Sequence, residues 1–195
     1  MAKKTASLIL FIAAAALIFT MFIFSAQDDT TSMGVSRGVS DTVAGVMNPS
    51  YWKLCGTAVR ENILDFLDTP IRKTAHFAEY ALLGAFLTCG FMCLRFPMSL
   101  RALYPFLICA AAAAADEYHQ SFVSGRTGMV KDVLLDVMGG TCGILFVLVL
   151  CMAGLYLIGH MRLKKGARKR RPPEKKKTQY RAAPPPDPSG TASRP

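Results

Sequence analysis

VMGGTCGILFVLVLCMAGLYLI, residues Val137–Ile158, runs 22 residues without a charge. About 20 predominantly apolar residues in helical form cross a hydrocarbon core of roughly 30 Å, so this stretch reads as a membrane span and not as the core of a soluble domain. On its C-terminal side the character of the chain reverses. His160–Pro195 carries twelve Lys/Arg against Glu174 and Asp187, a surplus equal to the +10 net charge of the whole protein. The preceding residues are therefore neutral in sum and strongly apolar, which excludes a basic nucleic-acid-binding body. The tail itself, dense in Lys and Arg and then rich in Pro, is expected to be disordered, an orientation signal that touches anionic lipid. It has neither the aromatics nor the folded reader that nucleic-acid binding would need.

Three further spans lie upstream. Residues 6–25 hold no charge and follow Lys3 and Lys4. The run is longer than the apolar part of a signal peptide, and Phe24 stands where a cleavage site wants a small residue, so it is expected to stay as an anchor. Residues 72–94 form the second span, with Asp68 or Thr69 as its cap and Pro70 at the first helical position. Residues 102–120 form the third, and the fourth extends over 133–158. The expectation is an all-α membrane protein: four transmembrane helices in a small bundle over residues 1–159, then a disordered basic tail over 160–195. Bases without acids flank Lys3/Lys4, Arg95/Arg101 and the tail, whereas Gln27–Lys73 has six acids and five bases and Asp116–Asp136 four and two. The positive-inside rule then places both termini in the cytoplasm. The long first outer loop is not bare linker. Val59, Ile63, Phe66 and Leu67 recur at helical spacing and predict an amphipathic helix on the outer leaflet or over the bundle mouth. Val35, Val39, Val43 and Val46 hint at another, weakened by Gly34, Gly38 and Gly45. Of the six cysteines, five lie within spans as packing residues, and only Cys55 faces the outer side.

Polar residues gather at one face of this bundle. Gln27 ends span one. Arg72, Lys73, His76, Glu79 and Tyr80 stand at the outer part of span two, Asp116, Glu117, His119 and Gln120 at the end of span three, and Asp132 and Asp136 at the start of span four. Helical spacing aligns His76 with Glu79 and Tyr80, Asp116 with His119 and Gln120, and Asp132 with Asp136, Gly139 and Gly143. Gly139 and Gly143 make a small-residue face suited to close helix approach. The 14 apolar residues before Asp116 cover only about 21 Å, which draws Asp116 toward membrane depth, where carboxylates face protein or water and signal function. A histidine beside a carboxylate makes an acid–base pair, so Asp116, Glu117, His76 and His119 are the candidate catalytic residues. Gln27, Lys73, Glu79, Tyr80, Gln120, Arg126, Asp132 and Asp136 are candidate ligand contacts, with Arg72, Lys73 and Arg126 suiting an anion. His76 and His119 with Asp116 or Glu79 could hold a metal, but His76-x-x-Glu79 is a two-residue pattern only, so neither a metal nor a cofactor is expected.

The residues Phe24-Ser25-x-Gln27, Arg72-Lys73-x-x-His76-Phe77-x-Glu79-Tyr80-x-x-Leu83-Gly84, Asp116-Glu117-x-x-Gln120-x-Phe122-x-x-x-Arg126 and Asp132-x-x-x-Asp136-x-x-Gly139-x-x-x-Gly143 resemble the VanZ-like family, in its order. One position departs, since many members carry Asn where this chain has Asp136. The family's namesake is linked to low-level resistance to the glycopeptide teicoplanin. The resemblance thus implies a bacterial plasma-membrane protein acting in the cell envelope. Its partners would be the bilayer and a wall precursor, lipid headgroup or glycopeptide. A membrane-embedded hydrolase or transferase is the competing expectation, and a small transporter or proton relay the third.

Overall fold

The computed structural model describes residues 2–27, 29–124 and 128–169. The described residues are helical throughout: α1 (Ala2–Ser25), α2 (Asp29–Met47), α3 (Pro49–Leu54), α4 (Thr57–Met92), α5 (Met98–Gln120) and α6 (Val130–Lys169). Four of these, α1, α4, α5 and α6, are long and apolar enough to cross a membrane. Residues 1–155 form one packed unit and 156–195 a second; within the second, Tyr156 stacks on His160 at 6.2 Å. The described part of α6 passes the expected end of its span at 158 and continues to Lys169, while the expected disorder of 170–195 falls outside the described residues.

α4 is the axis of the bundle. Its Tyr80, Leu83 and Leu87 are buried with Ala14 and Met21 of α1 and Cys109 and Ala113 of α5. α1 is pinned near its start by Ser7, whose hydroxyl donates to the Gly90 carbonyl at 3.1 Å. α6 meets α4 backbone to backbone. A Cβ on Gly143 would lie 1.8 Å from the Ala81 carbonyl oxygen, one on Gly139 2.4 Å from that of Phe77, and one on Gly84 2.2 Å from that of Gly140. The small-residue face read from the sequence therefore serves a contact inside the chain, and only glycine permits it. The opposite faces remain apolar and outward, with Ile12 and Phe19 of α1, Leu107 of α5 and Phe146 and Val149 of α6 exposed as a lipid-facing surface requires.

A further boundary differs from expectation. Pro70 does not start the second span but lies inside one continuous helix from Thr57 to Met92. A proline within a helix removes the bond to the carbonyl four residues earlier, here Phe66. Thr74 Oγ1 donates to the Pro70 carbonyl at 2.7 Å. Upstream of Pro70 the helix is held by α2: Ser36 bonds Asp68, Arg37 bonds Asp65 and lies 3.3 Å from Glu61, and Arg60 meets Asp41 at 2.5 Å. The buried stripe of this segment is Leu64 and Asp68, so Phe66 and Val59 turn outward instead of inward. The helix that Val35, Val39, Val43 and Val46 hinted at forms as α2 and runs over Asp29–Met47 despite its glycines. Gly45 has a use: a Cβ there would lie 3.3 Å from Trp52 Cδ1, so its absence gives room to the Trp52 ring, which is buried and donates to Asp41 Oδ1 at 3.2 Å. Trp52 is carried by α3, a turn the sequence reading passed over, capped where the Asn48 side chain accepts from Tyr51 N–H at 3.1 Å and Pro49 opens the helix.

Candidate functional site

At the end of the bundle where α1 and α5 finish and α6 begins, a cleft of about 220 Å³ opens between α1, α2 and α4. Phe24, Val35, Val39 and Ile71 make its apolar wall, and Gln27, Arg72, His76 and Glu79 supply polar groups. The repeat of Val35 and Val39, which hinted at a helix in the outer loop, supplies part of the cleft wall.

Beside the cleft the polar residues of three helices converge. Ligand-capable atoms of His76 (α4), Asp116 (α5) and Asp136 (α6) all lie within 4.8 Å of one another. The spacing of His76 and Glu79 along one helix could not reveal this, because the other two members arrive from different spans. The seam of glycines sets the approach: Gly139 and Gly140, about one helical turn after Asp136, press on Phe77 and the Cys109 side chain. Asp116 is 1% and Asp136 3% exposed. Gln120 Nε2 donates to Asp116 Oδ2 at 3.0 Å, while Asp116 Oδ1 is buried with no hydrogen-bond partner. Two unit charges about 4.8 Å apart repel by roughly 3 kcal/mol at an effective dielectric constant of about 20, so two carboxylates this close call for a proton or a cation between them.

The other sequence-selected residues divide clearly. Glu117, also buried, accepts a hydrogen bond from the Met129 backbone N–H just before α6. Its neighbour Asp116 is the one aligned with the cluster; Glu117 ties the α5–α6 connection. Lys73 Nζ is 2.6 Å from Asp132 Oδ1, a half-exposed pair that spans α4 and α6. Tyr80, 1% exposed, belongs to the apolar core below the cluster. Glu79 Oε2 stands 3.9 Å from His76 Nδ1. His119 faces α1, its ring 6.0 Å from that of Phe22, and is not a member of the His76 group. Arg126 falls outside the described residues. The six cysteines are all free, and Cys55 Sγ contacts only the Trp52 carbonyl, at 3.4 Å, among the hydrogen bonds found.

What the arrangement can do chemically follows from its two parts. The cleft offers an apolar wall beside a guanidinium, and the cluster offers buried carboxylates beside an imidazole that also faces the cleft. The family profile described as VanZ/LLP1 matches residues 8–152, which takes in α1 through most of α6 and every residue of the cleft and cluster. Neither a curated protein nor a solved structure matches the chain.

Proposed function

The chain belongs to the VanZ/LLP1 family of membrane proteins, and from that premise we propose that its cleft binds an anionic amphiphile at the outer face of a bacterial plasma membrane. The observation that carries the reading is the lining of the 220 Å³ cleft, where Phe24, Val35, Val39 and Ile71 face Arg72, Gln27, His76 and Glu79. Hydrocarbon packs on the first group and a phosphate or carboxylate headgroup on the second, since a guanidinium binds such oxyanions in a bidentate fork. A volume below the roughly 300 Å³ floor of ordinary drug-sized pockets suits a headgroup and its first carbons. A whole glycopeptide is far too large, so the occupant is a lipid headgroup or the lipid-linked phosphate of a wall precursor, and any resistance to glycopeptides follows from envelope chemistry.

Orientation rests on the basic residues. Lys3, Lys4, Arg95, Arg101 and the tail would lie inside with both termini, and the cleft outside. The helical cover of α2, α3 and the first half of α4 then stands over the bundle mouth on the outer side. A second reading, a hydrolase or transferase acting on the same headgroup, is favoured by His76, because one imidazole both lines the cleft and meets Asp116 and Asp136.

Binding is tested with the full chain in detergent micelles, titrated with a polyprenyl phosphate, with phosphatidylglycerol and with neutral phosphatidylcholine, and followed by native mass spectrometry. The two anionic lipids are expected to bind. Arg72→Gln should weaken them roughly tenfold or more, as expected for losing a charged hydrogen bond. Val39→Trp, which fills the cleft from an exposed position, should do the same. Equal binding of phosphatidylcholine, or unchanged affinity in both variants, would count against the reading.

A further inference from the structure

We infer that His76, Asp116 and Asp136 form a binding site for one divalent cation of the manganese–zinc class, held between α4, α5 and α6. Spacing along one helix offered no such set, but the fold assembles one imidazole and two carboxylates whose ligand atoms lie within 4.8 Å of one another. First-row cations bind nitrogen and carboxylate oxygen at about 2.0–2.2 Å, so these atoms would draw in toward one another to share one ion. The second observation is independent of that distance. Asp116 is 1% exposed, and its Oδ1 is buried without a hydrogen-bond partner, although buried carboxylate oxygens are ordinarily satisfied. A cation is the partner that satisfies this oxygen and offsets the repulsion between two buried carboxylates. The lysine nearest in sequence, Lys73, is committed to Asp132.

Rigidity favours the site. Asp136 precedes the glycines that lock α6 onto α4, and His76 precedes Phe77, whose carbonyl leaves no room for a Cβ at Gly139. The backbone positions that carry His76 and Asp136 are thus set by close helix contact. Glu79, 3.9 Å from His76 Nδ1, stands where a carboxylate can orient a metal-bound imidazole. Mixed nitrogen and oxygen donors without thiolate favour manganese or zinc over copper(I). Three protein ligands leave a coordination position open, as metal sites that take an exogenous ligand do. His76 lines the cleft, so that position would be reached from it. The inference does not rest on the lipid reading, and its test contains no added lipid.

The full chain, purified in detergent and stripped with a chelator, is titrated with Mn²⁺ while the electron paramagnetic resonance signal of free Mn²⁺ is followed. Manganese is chosen because the six free cysteines would compete for zinc. A single Mn²⁺ per chain is expected, with zinc competing for it. Asp116→Asn, Asp136→Asn and His76→Gln should each weaken binding roughly tenfold or more. Glu61→Gln, on the exposed part of α4, should leave it unchanged. Thermal unfolding run in parallel gives a second readout: Mn²⁺ should raise the Tm of the wild type and not that of the two Asn variants, which keep the side-chain volume. Absence of stoichiometric binding by the wild type, or wild-type affinity in both Asn variants, overturns the inference.

Discussion

At one end of the bundle α1, α4 and α5 meet through rings: Phe11, Phe91, Phe96 and Tyr104 form a chain of contacts with centroids between 5.1 and 6.0 Å apart, and Ser7 bonds Gly90. At the other end the same helices, with α6, present His76, Asp116, Gln120 and Asp136 to one another beside a cleft. Side chains of the first kind hold helices at little cost, because each buries or presents apolar surface and strands no polar atom. Those of the second kind crowd like charges and leave Asp116 Oδ1 unsatisfied. A bundle that needed only cohesion could have used rings at both ends. The contrast teaches that the polar end is maintained against packing, and that the packing cost is met where α4 and α6 touch at glycine.

That contrast can be broken most severely at the seam. Gly143→Val places a Cβ 1.8 Å from the Ala81 carbonyl oxygen, a backbone atom that no rotamer change can move. The expected loss exceeds about 3 kcal/mol, the upper range for overpacking, measured as denaturant-induced unfolding in mixed micelles. Unchanged stability would mean that α6 slides freely and that Asp136 is not fixed by the seam. At the aromatic end Phe91→Ala should cost about 1–2 kcal/mol, below the 3–5 of a fully enclosed ring because Phe91 is only partly buried. Lipid and metal binding at the polar end should survive it; their loss would tie the two ends together. The helical cover is the mildest case. Arg60 pairs with Asp41 and stacks 4.7 Å over Trp52, yet the pair is only partly buried, so Arg60→Ala should lower stability by about 0.5–1 kcal/mol in the same assay. A loss several times larger would show the cover to be part of the bundle's core.

Much of this was legible in the chain. Four charge-free or nearly charge-free runs announced the spans, and the even spacing of Gly139 and Gly143 announced a close helix contact. What escaped is instructive. Pro70 follows two good capping residues and reads as a helix start, but tertiary pairs from α2 to Glu61, Asp65 and Asp68 extend the helix through it. Local propensity was outweighed by contacts between segments about thirty residues apart, which no window along the sequence samples. Within the site, spacing correctly aligned Asp116 with Gln120 but could not separate Asp116 from Glu117. That decision depended on which one the Met129 N–H would occupy. That Asp136 joins His76 and Asp116 was out of reach, because it depends on three crossing helices and not on any single one.

The central claim is that the carboxylates of the polar end serve a ligand and do not hold the bundle together. Asp116→Asn tests it most directly, since asparagine keeps the shape and still accepts the Gln120 hydrogen bond while removing one of two crowded charges. Measured by unfolding of the metal-free, delipidated chain in micelles, the variant should be as stable as the wild type or more stable by up to about 2 kcal/mol, the gain expected when a functional site is relieved. A loss of about 3 kcal/mol or more, as when a buried ionic contact loses one partner, would contradict the account and make Asp116 a structural residue.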